Sequence, residues 1–297
     1  KEVGFHSSGR NSGVLHSGIY YEPNTLKSNL CIEGSKRLKK WCVEQNIEIL
    51  ECGKVISPQD LNLDFQLDNL IDRGKKNGAV LEIINKNKFE ELVPNGRTSS
   101  GRAIWSPNTS VVSPLQVIKK LQKQLMSEGI EFLFNTKLVK FFKLEQAVTL
   151  KNNLNAEDYK IKFSHLFNCS GLHSDEVGKL FGVGKKFNLI PFKGIYWELK
   201  KKPNLFFDKN LYPVPDLNMP FLGVHVTPSI DKNIYLGPTA IPAFGSENYY
   251  GFDGLEPLKT LKNFGIMANQ LIKNENKFRQ YASEQALLGF KYLFFKS

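Results

Sequence analysis

The stretch "GRNSGVLHSGIYYEPNTLKSNLCIEGSK", residues Gly9–Lys36, decides how the rest of the chain is read. Its first half is dense in glycine, serine and histidine, and His6, Ser7 and Ser8 extend that character upstream. Gly9 and Gly13 allow the backbone to approach a flat ligand closely, because no Cβ stands in the way. Asn11 and Ser12 supply hydrogen bonds. If Ser12-Gly13 opens a helical turn, its N–H groups face an anion. On composition alone the same residues make a plain polar turn. His16 sits inside an apolar run, where a lone imidazole is usually a satisfied core residue. The second half changes period. Leu26, Leu30, Leu38, Trp41 and Cys42 recur at helical spacing and predict a helix over 25–46, with basic residues on its other face.

Outward from there, Ser57-Pro58-Gln59-Asp60 reads as a helix start, with the helix running to about Lys76 and stopping near Gly78. A strand over 80–84 and a helix over 86–92 follow. Ser113-Pro114 opens a helix that Gly129 closes. Segments 130–134, 138–144, 147–151, 159–163 and 166–169 are short and β-rich, separated by polar turns. A helix after Ser174 ends near Gly182. Residues 187–238 read as strands punctuated by proline and glycine. The last forty residues return to helical patterning through Leu258, Leu261, Phe264, Leu271 and Ile272. No internal repeat or low-complexity tract occurs. The order predicts an α/β (α+β) framework from 1–45 and 105–185, with a mostly antiparallel sheet domain inserted from 46–104 and 186–297.

The totals exclude some classes. The 297 residues hold 40 Lys and Arg against 29 Asp and Glu, a net charge of +11. That balance suits nucleic acid, an anionic membrane or acidic substrates. The lysines are scattered among asparagines, as in Asn85-Lys86-Asn87-Lys88, and no RNP-type, zinc-finger or basic-zipper pattern appears, so no nucleic acid is expected. No apolar run approaches the roughly 20 residues of a membrane span, and the aromatic run Tyr292–Phe295 is far too short. The first residues lack the order of a signal peptide. Cys31, Cys42, Cys52 and Cys169 form no C-x-x-C pair and no zinc spacing, and read as buried thiols in a reducing compartment, with no metal expected. Arg97 and Arg102, in a Gly/Ser-rich loop, read as solvent-exposed.

The opening stretch resembles the segment after the first βαβ unit in the FAD-dependent L-2-hydroxyglutarate oxidases and dehydrogenases, of the D-amino-acid-oxidase-like flavoprotein superfamily. Further matches follow in the same order: "CGK" (Cys52–Lys54), "NCSGLHSD" (Asn168–Asp175), "PFKGIYWEL" (Pro191–Leu199), "YPVPDLNMPFLGVHVT" (Tyr212–Thr227) and "GPTAI" (Gly237–Ile241). The opening motif and the Tyr212–Thr227 block are specific to this group, whereas "NCSG" is a general flavoprotein signal. The resemblance implies an FAD-binding Rossmann-like domain with an inserted, mostly antiparallel β-sheet substrate domain. It places the G-x-G-x-x-G phosphate turn before Lys1 and a closing segment after Ser297. The chain therefore reads as an internal fragment, its flavin domain incomplete at both ends.

The resemblance also implies a site. Gly9, Arg10, Asn11, Ser12 and Gly13 lie against the flavin and its phosphates, Ser170 and Gly171 run along the cofactor, and Val139 takes the position whose backbone meets the adenine. His16 lies near the isoalloxazine ring. Of the pair Tyr20 and Tyr21, one faces the site, and Tyr21 is taken as the substrate contact. Strand alternation puts Lys193, Ile195 and Trp197 on one face and Gly194, Tyr196 and Glu198 on the other. Lys193 stands where the family often has arginine, keeping the charge but losing bidentate geometry. Lys193, Tyr196 and Tyr212 are the further substrate anchors. His225, in an apolar strand, needs a partner if buried. The chemistry implied is hydride transfer from C2 of a 2-hydroxy acid to the flavin, with His16 or His225 taking the hydroxyl proton. Only the resemblance names hydroxyglutarate, a small dicarboxylate. Oxidation of an amino acid or glycerol phosphate, an inactive flavoprotein, and a basic nucleic-acid module remain alternatives. The electron acceptor is oxygen or a membrane quinone, and the location is cytoplasmic or peripheral on the inner face of a bacterial membrane.

Overall fold

The computed structural model describes residues 2–200, 206–215 and 223–288. Strand β1 (Val14–Leu15) leads to helix α1 (Leu26–Glu44). Thr25 caps α1, its hydroxyl accepting from the Ser28 N–H and so satisfying one of the donors a helix start leaves open. The expected apolar face is half realised: Cys42 is buried, but Leu26 and Leu30 are exposed. Strands β2 (Ile49–Leu50) and β3 (Lys54–Ser57) follow, then α2 (Phe65–Lys76). Ser57-Pro58-Gln59-Asp60 does not open that helix. Ser57 is claimed by β3, where the Val214 N–H donates to its carbonyl, and Asp60 instead caps a single 3-10 turn by accepting from the Asn62 N–H. The stop is as expected, with Gly78 in the left-handed region at φ 80°.

Next come β4 (Glu82–Asn85) and α3 (Lys86–Leu92), capped by the Asn85 side chain accepting from the Lys88 N–H. Strands β5 (Arg102–Ser106) and β6 (Ser110–Val112) precede α4 (Pro114–Ser127), which ends before Gly129. Then follow β7 (Thr136–Phe142), β8 (Ala147–Asn152), β9 (Asp158–Lys162) and α5 (Ser174–Leu180). The last elements are β10 (Phe192–Glu198), β11 (Asn210–Pro213), β12 (His225–Pro228), β13 (Ile234–Pro242), α6 (Pro257–Lys273) and α7 (Phe278–Leu288). Segments 130–134 and 166–169, expected as strands, have no strand partner among the described residues. A strand exists only where a neighbour takes its N–H and C=O groups, and composition cannot supply the neighbour. The first residues of the strand expected from Pro220, and the run Tyr292–Phe295, lie outside the described residues. On α6 the expected apolar stripe is turned out, with Leu258, Leu261 and Ile272 exposed while Asn263 and Met267 are buried.

The strands form three sheets. A seven-stranded mixed sheet has the order β10-β13-β12-β11-β3-β5-β4, in which β11 and β3 run parallel. Two antiparallel three-stranded sheets have the orders β1-β6-β2 and β7-β8-β9. This is the α/β class expected, with the antiparallel component prominent.

The chain divides into two compact units, one from residues 1–10, 121–193 and 242–275, the other from 11–120, 194–241 and 276–297. Compactness thus cuts the chain elsewhere than the boundaries read from the sequence. Residues 14–15, 49–50 and 110–112 pair into one sheet, which keeps 11–45 and 105–120 with the second unit. In that unit the seven-stranded sheet buries both faces. Ile56 of β3 packs with Leu67, Leu70 and Ile71 of α2, and Val55, one residue earlier, packs on the other face with Phe89 of α3. Arg102, expected in solvent, keeps 37% of its side chain exposed and also ties β5 to α2 by donating to Asp64 and Asp68, each at 2.6 Å.

Candidate functional site

Strand register gathers the chemically active side chains on one face of the seven-stranded sheet. Lys54 pairs with Asn210 and Ile56 with Tyr212, so Lys54 and Tyr212 share a face across the parallel β3–β11 pair. Leu211 opposite Val226 sets Tyr212 beside His225, and His225 is opposite Gly237. The Tyr212 ring stacks on the His225 imidazole, with centroids 3.9 Å apart and planes 18° from parallel. Lys54 Nζ lies 4.1 Å from the centroid of the same tyrosine ring. It is also 3.1 Å from His16 Nδ1 and 5.2 Å from the centre of the Tyr20 ring.

The opening segment is clamped onto this face by both flanking helices. Cys31 of α1 donates its thiol to the His16 carbonyl, and Asn77 after α2 donates its amide to the carbonyls of Gly18 and Tyr21, each at 2.8 Å. Arg73 of α2 donates to the Tyr20 carbonyl at 3.1 Å. Ser17 adds hydroxyl contacts to Ser106 and Thr109. Gly18, at φ 78°, is needed here, because a Cβ would meet the Ile32 side chain at 2.6 Å.

Burial sets the electrostatics. Lys54 is 0% exposed and has no carboxylate within ion-pair distance among the described residues. Burial pushes its ammonium down to about 7. His16 is held well below the usual histidine range, first by burial and then by the Lys54 charge. His225 is pushed down to about 4, first by burial, against the opposing hydrogen bond from its Nδ1 to the Gly223 carbonyl at 2.9 Å. Burial raises the phenols of Tyr20 and Tyr212, so both stay protonated. The Tyr20 hydroxyl is buried with no hydrogen-bond partner among the described residues. The result is a buried cluster of one amine that titrates near pH 7, two neutral imidazoles and protonated phenols.

Of the residues expected at a site, His16, Tyr212 and His225 come together. Tyr196 borders them: its ring abuts Gly237, where an added Cβ would lie 3.0 Å from Tyr196 Cδ1, and its phenol is hydrogen-bonded to Ser12. Two placements differ from expectation. Tyr20, not Tyr21, faces Lys54, while Tyr21 lies by Lys27. Lys193 belongs to the other compact unit and donates to Asn248 Oδ1 at 2.9 Å. Lys54 was missed altogether. The available signal was a charged residue between Gly53 and the apolar pair Val55-Ile56, in a strand too apolar to face water.

The glycine-rich loop is shaped by its own chain. Ser12-Gly13 opens strand β1 rather than a helical turn, and Asn11 accepts the Gly13 N–H at 3.0 Å. A Cβ on Gly13 would lie 2.0 Å from the Val112 carbonyl oxygen, and one on Gly9 would lie 2.1 Å from the Gly4 oxygen. Both close approaches are therefore to protein backbone. Arg10 donates to the Phe5 carbonyl at 2.7 Å and lies 4.1 Å over the Tyr249 ring. In this first unit a cavity of ≈ 670 Å³ is lined by Phe134, Val139, Ser170 and His173 among others. A second, of ≈ 300 Å³, is lined by Ser7, Ser8, Ser170 and Gly171.

A family model for FAD dependent oxidoreductases matches residues 1–273. The chain belongs to this family. It is 37% identical over 265 residues to the mitochondrial L-2-hydroxyglutarate dehydrogenase of Nematostella vectensis, covering 84% of this chain and 57% of that protein. Against the L-2-hydroxyglutarate dehydrogenase of Escherichia coli K12 the identity is 33% over 264 residues, covering 88% and 61%. The chain thus spans less than two thirds of these relatives. Among solved structures, FAD-bound L-alpha-glycerophosphate oxidase from Mycoplasma pneumoniae superposes with a TM-score of 0.69 at 21% identity, covering 87% of this chain and 68% of that one. L-proline dehydrogenase from P. horikoshii gives 0.65 at 15% identity, covering 90% and 68%. These two show a shared fold.

The residues of this FAD dependent oxidoreductase suit the family's cofactor. The larger cavity is lined by apolar side chains such as Leu133, Leu138 and Val139 together with polar ones such as Asn135, Ser170 and His173, the mixture a dinucleotide requires. Gly171, at φ 55°, has nothing within 4 Å of where a Cβ would be, which leaves open space beside the Ser170 hydroxyl. No helix among the described residues is long and apolar enough to cross a membrane. All four cysteines are free thiols; Cys42 and Cys52 are buried, but Cys169 is exposed.

Proposed function

We propose that this protein oxidises L-2-hydroxyglutarate to 2-oxoglutarate with FAD as the electron acceptor at the site. The observation that carries the reading is the buried cluster of Lys54, His16, Tyr20, Tyr212 and His225, in a chain 37% identical to a protein named for this reaction. When bound, FAD supplies a two-electron acceptor for the hydride from C2. The chain's own residues do the rest. A neutral imidazole takes the hydroxyl proton. Tyr20, Tyr196 and Tyr212 offer phenol donors to the substrate's carboxylates, and the buried Lys54 makes the site favourable to negative charge. Val139, Ser170 and Gly171, which line the cavities of the first unit, would hold the cofactor. In functional terms 1–45 and 105–185 then form the FAD-binding part, and 46–104 and 186–297 the substrate part. Reduced flavin would pass its electrons to oxygen or a membrane quinone, the latter from a peripheral position at the membrane. Oxygen uptake against reduction of a quinone analogue tells these apart.

The test is anaerobic addition of L-2-hydroxyglutarate to the yellow protein. Bleaching of the flavin band is the expected result, and His225→Gln should slow it by about 10²-fold or more while leaving the band itself in place. A flavin that bleaches with glycerol phosphate or an amino acid but not with L-2-hydroxyglutarate overturns the substrate. A protein that takes up no FAD overturns the reading as a whole.

A further inference from the structure

We propose that Lys54 divides the work of the two histidines: by donating to His16 Nδ1 it makes His16 a hydrogen-bond donor through Nε2–H, and it leaves His225 as the acceptor of the substrate's hydroxyl proton. The inference rests on the reading of the site given above and deepens it, because composition and resemblance leave either histidine as the base.

The geometry supplies the argument. An ammonium group has donors and no acceptor. Lys54 Nζ lies 3.1 Å from His16 Nδ1, so Nδ1 is the acceptor and the ring proton sits on Nε2. A peptide carbonyl only accepts, and the Gly223 oxygen is 2.9 Å from His225 Nδ1, so that nitrogen carries its proton and Nε2 keeps a lone pair. While Lys54 is charged, below about pH 7, the two imidazoles are thus set in opposite tautomers, one by a neighbour that only donates and the other by one that only accepts. Two positive charges about 3 Å apart are strongly disfavoured in a dry site. His16 therefore stays neutral while Lys54 carries the charge, and an imidazole with Nδ1 occupied and Nε2 protonated cannot take a proton. His225 has no hydrogen bond to Lys54; the Tyr212 ring contacts both.

In the reaction the substrate's O–H bond breaks and its proton goes to His225 Nε2. The C2–H bond breaks with its electron pair leaving as hydride, for which bound FAD would be the two-electron acceptor, and C2–O becomes a carbonyl. The two carboxylates of the substrate favour the imidazolium that forms, offsetting the burial that holds His225 low in their absence. Lys54 touches none of the reacting atoms in this account and is a positioning residue.

The test reads the ring nitrogens directly. Histidine-¹⁵N-labelled holoenzyme is compared with its Lys54→Met variant by NMR, with His16 and His225 assigned through His16→Gln and His225→Gln. The expected spectra show His16 as the Nε2–H tautomer and His225 as the Nδ1–H tautomer. In Lys54→Met, His16 loses its fixed tautomer and protonates at higher pH, while His225 keeps its tautomer. The groups facing His225 and Lys54 are His16, Tyr20, Cys31, Cys52 and Tyr212; none is a cation that replaces Lys54. The turnover profile should therefore shift its acid limb to higher pH, with kcat down by about tenfold or more and KM changed less. In spectra recorded below pH 7, where Lys54 is an ammonium, a parent protein with the His16 proton on Nδ1, or a Lys54→Met protein with unaltered His16 signals, overturns the proposal. The parent spectra need no variant, so a misfolded Lys54→Met protein leaves the assignment decided. They also need no substrate. Failure of L-2-hydroxyglutarate to bleach the flavin therefore tells against the substrate, while the ring-nitrogen signals still decide the role of Lys54.

Discussion

Replacing Lys54 by methionine should stabilise the protein near neutral pH and lose that advantage in alkali. The ammonium is 0% exposed and held at about 7 in the folded state, against an ordinary lysine value of 10.5. The unfolded chain binds that proton more tightly, so unfolding takes up a proton between those values and stability rises with pH across the window. The cost of burying the charge is fully present below pH 7, at roughly 5 kcal/mol as an upper figure. It falls to about 2 kcal/mol at pH 9 and under about 1 kcal/mol at pH 10. Methionine matches the aliphatic length and removes the charge. It also removes the hydrogen bond to His16 and the cation–π contact with Tyr212, together about 2 kcal/mol. The net expectation is a gain of about 2–3 kcal/mol at pH 6–7 that has vanished by about pH 10, where the neutral amine makes no cation–π contact and the variant gives up only the hydrogen bond, about 1 kcal/mol. Urea unfolding at a series of pH values, with the slope m shared between parent and variant, measures the difference directly. A difference that is the same at every pH, or that grows in the variant's favour as pH rises, refutes the placement of a buried, unpaired ammonium.

Three further outcomes follow from the packing. Gly13→Ala should cost about 2 kcal/mol or more, seen as a lowered Tm, because φ is 70° and the new Cβ would meet the Val112 oxygen at 2.0 Å; an unchanged Tm would mean the β1–β6 approach is looser than this. Leu67→Ala removes a side chain with 0% exposure from the α2–sheet core and should lower the unfolding free energy by about 2–5 kcal/mol at constant m. Cys169 should react with iodoacetamide in the native protein well before the buried Cys42 and Cys52, a sequence that peptide mapping by mass spectrometry resolves; equal labelling rates would contradict the burial of the latter two.

Local signals carried far in this chain. Thr25, Asn85 and Ser113-Pro114 mark helix starts, and Gly78, Gly129 and Gly182 mark the ends, because capping and left-handed turns depend on residues a few positions apart. The strands β10, β11, β12 and β13 were legible in their proline and glycine punctuation. The Ser57-Pro58 signal misled because the same residues were also strand-forming, and the sheet claimed them. Segments 130–134 and 166–169 misled for the opposite reason, being β-rich without a neighbour to pair with.

The site divides the same way. His16, Tyr212 and His225 stood out singly, from residue type and from resemblance. Lys54 did not stand out, since nothing within a few residues shows that its ammonium is buried. Its meaning comes from β3 lying parallel to β11, which sets it beside Tyr212, and from the opening segment folding back between α1 and α2 to bring His16 to its Nζ. By itself the sequence determined the class of the fold, most helix boundaries and which residue types were available for chemistry. Only the tertiary structure decided which of them meet and which proton each holds, because burial and hydrogen-bond partners are set by strand register between segments more than 150 residues apart.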